Sequence, residues 1–383
     1  MVERTVRSDY EIGPKTKKKT CEIFLYTMNC SFVFQMSQLY STEIGRILAS
    51  LLSAVGIGFL FLHYGRGIKV TSTWFVSTIV LVTVGVISYI KSGAPTLLKL
   101  ILFFYAIQKV EIKAILKAYM VSLIFSGSII ALSSLMGITS LYYTGAKEAI
   151  RFGMTNPNTV PVIVFAVIVS YNLIHDQDLS YKSILVEGFI TWIIYYLCRA
   201  RTAAIVLFFY LVTLMINKRW NTNRVFQVIN WPLQFFFPMA SILTISIASL
   251  FNTGSTIWLT INNYSSGRLL AWNRYFRKYG LSVFGNKIQT NMGALDNAYI
   301  QLLIKYGLIT FIVYFFFFYI ISRYAYRTKN NILFLSVLAT EIYCVSEFSP
   351  LQINFCPVLI YFAYLLVNNP EELKRNKVQR GTA

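Results

Sequence analysis

The amino-acid sequence predicts an all-α fold: a polytopic integral membrane helical bundle of about 12 transmembrane helices, with a large outer loop between spans 9 and 10. Three observations carry that expectation. The chain has 383 residues, of which 56% are hydrophobic and 13% charged, about half the charged fraction of a soluble domain. Its apolar residues fall into runs sufficient for about a dozen crossings at ~20 residues each. Lys and Arg gather in alternate loops between those runs, as the positive-inside rule requires of cytoplasmic loops.

The same composition excludes a disordered chain, which has few apolar residues. The formal net charge is +20, from 35 Lys and Arg against 15 Asp and Glu. In a soluble protein that balance would point to nucleic acid. Here loop sidedness accounts for most of it, so no nucleic-acid partner is expected. Cys21, Cys30, Cys198, Cys344 and Cys356 sit in or beside apolar runs, without the spacing of a metal site or a disulfide framework. His63 and His175 stand alone at span ends and read as interfacial residues rather than ligands. The first residues are polar and basic and lack the apolar core of a cleavable signal.

In chain order, residues 1–22 read as a basic cytoplasmic arm carrying Lys15, Lys17, Lys18 and Lys19. Residues 23–367 form the transmembrane domain, with apolar spans at 23–40, 44–64, 71–90, 94–108, 115–136, 160–174, 183–198, 202–216, 231–251, 298–321, 332–347 and 351–367. The fourth span is short and holds Lys99, and only Arg199, Ala200 and Arg201 part spans seven and eight. Residues 368–383 form a basic tail. The arm, Arg66 and Lys69, Lys109, Lys113 and Lys117, Lys182, Lys218, Arg219 and Arg224, Arg323, Arg327 and Lys329, and the tail all fall on one side. By the positive-inside rule that side is the cytoplasm, with both termini on it. Tyr26, Tyr64, Trp74, Trp220, Trp231 and Trp258 near span ends fit an aromatic belt.

The other side carries two loops, 137–159 and 252–297, long enough to be functional. The second holds Arg268, Arg274, Arg277, Lys278 and Lys287 against the single acid Asp296; the first holds Lys147, Glu148 and Arg151. Arg199 and Arg201 lie on the same side. An outer face should be poor in basic residues, yet arginines gather at three places. The planar guanidinium fork suits phosphate, which it binds bidentately without losing its charge.

Within the second loop, Arg268 to Tyr279 reads as an amphipathic helix on the outer surface, bounded by Ser266 and Gly280. Leu269, Trp272, Tyr275, Phe276 and Tyr279 share one face, and Arg274, Arg277 and Lys278 the other. Arg268 sits in the first turn, where backbone N–H groups favour an anion. Asp296 stands at the entrance of the next span, either as a helix cap or as a functional acid. Asn297, Gln301 and Lys305 recur every four residues, as one polar stripe along that span.

These segments resemble a family. Arg151-Phe152-Gly153-Met154-Thr155-Asn156-Pro157-Asn158 is similar to the Arg…Gly-Phe…Pro-Asn element of polysaccharide polymerases, and Arg201-Thr202-Ala203 to their Ser-Arg-Thr-Ala element. Ser266-Gly267-Arg268, Trp272, Gly285, Asp296-Asn297 and Tyr306-Gly307 resemble the large outer loop and following span. Together they resemble the Wzy-type polymerases of capsule, O-antigen and exopolysaccharide, within the O-antigen ligase/polymerase superfamily. The motifs cover about residues 145–310, and the span layout covers the chain. Two positions depart from the pattern. Cys198, Arg199 and Ala200 precede Arg201 where the family often has Ser, and Asp296 precedes Asn297 where ligases often have His. The second departure favours a polymerase and leaves the general base open between Asp296 and Glu347.

The resemblance implies a membrane glycosyltransferase that works without a metal or other cofactor in the bacterial plasma membrane. Its substrate would be an oligosaccharide repeat unit on undecaprenyl diphosphate, joined en bloc at the outer face. A flippase and a chain-length regulator of the same pathway would be its partners, with membrane lipid around it. Arginines suit the negative charge that develops on a departing diphosphate. Arg201, Arg268 and Asp296 are the expected catalytic residues, and Arg151, Asn158, Arg274, Arg277, Asn297 and Trp272 the expected binding residues. Trp272, Tyr275 and Tyr299 read equally as stacking platforms or interfacial anchors. A ligase would share the donor and differ in acceptor. A flippase would place charged residues along a central cavity, often with two repeated halves; ionisable residues within the spans are few, chiefly Lys99, Glu187, Lys305 and Glu341.

Overall fold

The computed structural model describes residues 14–64, 72–108, 110–143, 148–220, 228, 230–289 and 295–367. Arg66, Lys69, Lys109, Lys147, Arg224 and the basic tail lie outside the described residues, as does most of the N-terminal arm. The fold is all-α, about 78% helical, with one two-stranded hairpin pairing Tyr142–Tyr143 with Ala149–Ile150.

The long helices are α1 (Pro14–Gln35), α2 (Glu43–Tyr64), α3 (Ser72–Ser92), α4 (Thr96–Ala106), α5 (Ile112–Leu135), α6 (Thr159–Ile174), α7 (Tyr181–Cys198), α8 (Arg201–Trp220) and α9 (Phe236–Leu250). Two short helices follow, α10 (Thr256–Tyr264) and α11 (Arg268–Tyr279), then α12 (Ala298–Gln301), α13 (Leu308–Arg327), α14 (Asn331–Cys344) and α15 (Pro357–Val367). Four of them, α2, α5, α8 and α13, are long and apolar enough to cross a membrane. The basic stretch Lys15–Lys19 is already helical, because α1 starts at Pro14, where a proline costs a helix no hydrogen bond.

Two expected elements differ in the structure, and the loop 252–297 holds a further helix, α10, beside the expected α11. Span ten is not one helix. It runs as α12, a π turn over Leu302–Tyr306, and α13, broken at Gly307 with φ 90°. Of the expected stripe, Asn297 caps α12, Gln301 ends it and Lys305 falls in the π turn. Span twelve begins late, at Pro357, after 3-10 turns at Ser349–Leu351 and Ile353–Phe355.

The loop Ser282–Asn286 repairs the break. Leu308 N–H donates to the Ser282 carbonyl at 2.8 Å and Ile309 N–H to Val283 at 3.2 Å. The Lys305 carbonyl accepts from Asn286 N–H at 3.0 Å, and the Ile304 carbonyl from Asn286 Nδ2 at 2.9 Å. Interrupted backbone away from water persists where such partners exist.

Buried polar contacts fix the helices to one another. Asn29 Nδ2 donates to Ser122 at 2.7 Å and Asn354 Nδ2 to Asn29 at 2.9 Å, joining α1, α5 and the turn before α15. Loop contacts sort the helix ends into two groups. Lys113 pairs with Asp176 at 3.2 Å, Lys218 Nζ meets the Leu179 carbonyl, and Asn331 Nδ2 donates to Asn217 at 2.8 Å. At the opposite end Gln38 N–H donates to Gly153, Thr155 N–H donates to Met36, both at 2.9 Å, and α10 and α11 cover α9.

Candidate functional site

At this second end α11 is amphipathic, as its periodicity predicts. Leu269, Trp272 and Tyr275 are buried against Ala248, Phe251, Leu295, Ile300 and Ile304, so the apolar face rests on the bundle. Asn273 ties it down, with Nδ2 donating to the Ala248 carbonyl at 2.7 Å. Arg274, Arg277 and Lys278 are exposed on the other face. Gly267 (φ 81°) and Gly280 (φ 62°) flank the helix, in a region a side chain rarely enters. The start is fixed by Asn262, whose Oδ1 accepts from Leu270 N–H at 3.0 Å. Ser266 makes no such bond, and Asn262 lies too far upstream for a local capping pattern to reveal it.

This framing delivers Arg268 to two acids. Its Nε lies 3.6 Å from Asp296 Oδ2 and its Nη2 3.4 Å from Glu347 Oε1. The first is an ion-pair contact rather than a hydrogen bond. Asn158, from the loop before α6, donates through Nδ2 to the same Glu347 oxygen at 2.8 Å. Four segments far apart in the chain thus meet at one point. The Arg268, Asp296 and Glu347 side chains are 25%, 29% and 10% exposed, so the arginine stays open to a ligand while Glu347 is nearly enclosed.

Asp296 is free for this contact because it does not cap the helix. Asn297 does so, with Oδ1 accepting from Ile300 N–H at 2.9 Å, while its Nδ2 donates to the Val345 carbonyl at 2.6 Å. Asn297 therefore holds the start of α12 against the turn that carries Glu347. Its own side chain is buried and serves to position the acids.

Two carboxylates around one guanidinium cannot both be neutralised by it. Burial, and then the negative charge of Asp296, push the Glu347 carboxyl up to about 7, against the opposing pull of Arg268 and the Asn158 hydrogen bond. Burial also raises Asp296 above the usual carboxylate range, opposed by Arg268. Glu347 is thus poised to exchange a proton near neutral pH, as a general base must.

The remaining arginines are elsewhere at this end. Arg151 lies over the Tyr143 ring at 5.8 Å, and its Nε is buried without a hydrogen-bond partner. It lines a cleft of about 470 Å³ with Gln38, Thr42, Thr139, Ser140 and Thr155. Gln38, which sequence reasoning passed over, anchors that wall: its Oε1 accepts from Ser140 N–H at 2.7 Å. It sits in a short turn whose residues show no periodic signal. Arg199 takes the left-handed conformation at the end of α7 and lies over Tyr196 at 5.1 Å. It lines a cleft of about 660 Å³ with Tyr142, Tyr143 and Glu148.

Arg201 is exposed at the start of α8. Among the described residues no ion pair or hydrogen bond links Arg151, Arg201, Arg274 or Arg277 to Asp296 or Glu347. The three expected arginine sources therefore share an end of the bundle without converging on one contact. Trp272 departs further from its expected role. It is 5% exposed and packed in the core under α11, so its ring supports the helix rather than offering a face to a sugar.

Comparison with family models, with curated proteins and with solved structures finds no match to this chain.

Proposed function

We propose that this chain is a bacterial polysaccharide polymerase of the Wzy type, joining undecaprenyl-diphosphate-linked repeat units at the outer face of the plasma membrane. The observation that carries the reading is the meeting of Arg268 with Asp296 and Glu347, with Asn158 on the same Glu347 oxygen. These residues come from both motif-bearing outer loops and the turn after α14. The apolar runs and the sidedness of the loop charges in the sequence support about twelve crossings with both termini in the cytoplasm.

In this reading Arg268 receives the diphosphate, with Arg201, Arg151, Arg274 and Arg277 supplying a basic approach at the same end. The bond between the donor's anomeric carbon and the diphosphate oxygen breaks, and its electron pair leaves with the diphosphate. The acceptor hydroxyl oxygen bonds to that carbon and gives its proton to Glu347. A guanidinium positioned where negative charge develops lowers the barrier. Asp296 holds Arg268 in place and keeps the Glu347 carboxyl basic enough for the task. A flippase and a chain-length regulator would be partners in the same pathway.

Deletion of the gene in its host, with surface glycan sized on a gel, tests this. Single repeat units with loss of long chains are the expected result. Long chains stranded on their lipid carrier would instead make the protein a ligase. Repeat units trapped on the cytoplasmic leaflet would make it a flippase.

A further inference from the structure

A second basic cleft lies away from Arg268. Lys91, in the last turn of α3, faces the loop Ser282–Lys287 across a cleft of about 550 Å³, lined also by Val283, Phe284, Gly285 and Asn286. Two ammonium groups line it, and none of its lining residues is an acid.

Both walls are held by the helix break. The loop is hydrogen-bonded to Ile304, Lys305, Leu308 and Ile309, and Ser282 Oγ accepts from Gly285 N–H at 3.1 Å. On the other wall, α3 is tied to the same break by Ser88 Oγ, which donates to the Tyr306 carbonyl at 3.3 Å. The lysines are thus carried on fixed backbone rather than on a free loop. A cation in the last turn of α3 also suits the helix dipole, which accounts for Lys91 but not for Lys287 across the cleft. Val283, which lines the cleft, and Ile90 and Leu281, next in the chain to its lining residues, expose apolar side chains. Cations next to an apolar rim match a ligand with a phosphate at one end and hydrocarbon at the other.

We propose that this cleft is a binding site for the phosphate headgroup of a lipid, held between Lys91 and Lys287 with its chains along Ile90, Leu281 and Val283. The headgroup is that of an anionic bilayer phospholipid or of a polyprenyl phosphate. The site does not rest on the polymerase reading.

The test uses the full purified chain in phosphatidylcholine nanodiscs, titrated with phosphatidylglycerol or undecaprenyl phosphate and followed by native mass spectrometry. At least one of the two should bind the wild type in preference to phosphatidylcholine. The double variant Lys91→Gln/Lys287→Gln should bind it roughly 30-fold more weakly, as expected for two lost cations near an anionic lipid. Undecaprenyl phosphate displacing phosphatidylglycerol identifies the polyprenyl source, and the reverse identifies the bilayer source. Lys287 is exposed, so the single Lys287→Gln variant provides a folded protein if the double one is unstable, and should itself weaken binding about fivefold. Arg268→Ala should leave this binding unchanged, which separates the two sites. Equal binding by wild type and the lysine variants, or no preference for either phosphate lipid, overturns the proposal.

Discussion

Arg268 and Glu347 are 79 positions apart in the chain and meet at 3.4 Å, Nη2 to Oε1, on an end of the bundle that also brings Asp296 and Asn158 to them. The pair places a permanent cation against an enclosed carboxyl, with part of the guanidinium still accessible. That arrangement can receive an anion on one side and a proton on the other.

The shape of the arginine matters as well as its charge. Under the proposed polymerase reading, Arg268→Ala should lower the polymerisation rate by about 10²–10³, the usual loss for one transition-state charge donor. Arg268→Lys should recover little, because an ammonium cannot span both acids and still offer a fork to phosphate. Rates with purified protein and lipid-linked repeat units check this; wild-type rates in the lysine variant would remove Arg268 from the site.

Under the same reading, polymerisation should rise with pH through about 7, as the Glu347 carboxyl loses its proton. Asp296→Asn removes the neighbouring negative charge that helps raise Glu347, so the acidic limb of the residual activity should move to lower pH. The same shift affects stability with a definite sign. Between the usual value of 4.5 and about 7, the folded protein holds a proton at Glu347 that the unfolded chain has lost. Stability from this group is therefore full below about 4.5 and falls as pH rises toward 7. Glu347→Gln should flatten that decline in Tm, and an unchanged slope would show that Glu347 does not titrate there.

Gly285 and Gly307 should tolerate no side chain. Both have positive φ, 97° and 90°, and a Cβ at Gly285 would overlap the Lys305 carbonyl, while one at Gly307 would overlap Gly285 itself. Gly285→Ala or Gly307→Ala should cost at least ~2 kcal/mol from backbone strain and overlap. Gly188→Ala, in α7 with open space around it, should gain about 0.5–1 kcal/mol from helix propensity. Thermal unfolding in detergent separates the two classes.

Glu341 lies fully within the packed face of α14, and neither carboxyl oxygen has a hydrogen-bond partner. A buried polar group without a partner costs stability. Glu341→Met, of similar volume and apolar, should therefore raise Tm, by an amount corresponding to ~1–3 kcal/mol. A lower Tm would mean that the carboxyl has a structural partner.

Much of the architecture was legible in the sequence because hydrophobicity and charge are local and additive. The helices, the short connection at Arg199–Arg201 and the two long loops at one end all follow from apolar run length and loop charge. The faces of α11 follow from the 3.6-residue period. The β hairpin at Tyr142–Tyr143 was not legible, since two-residue strands are too short to show alternation. Nor was the break at Gly307, because an apolar run reads as continuous helix unless the backbone partners of its interruption are known.

What the sequence alone determined was the class of the molecule and the residue types available for chemistry: an apolar, helical chain, arginines where few are expected, and Asp296 and Glu347 as the candidate bases. Only the tertiary structure decided which of these meet. It joined Arg268 to Asp296 and Glu347, gave the capping role to Asn297 instead of Asp296, and buried Trp272 beneath its helix. It left Arg201, Arg274 and Arg277 exposed on the rim. The physical reason is that helix formation and membrane partition depend on neighbouring residues along the chain. Ion pairing, by contrast, depends on distances of a few ångströms between segments that packing alone brings together.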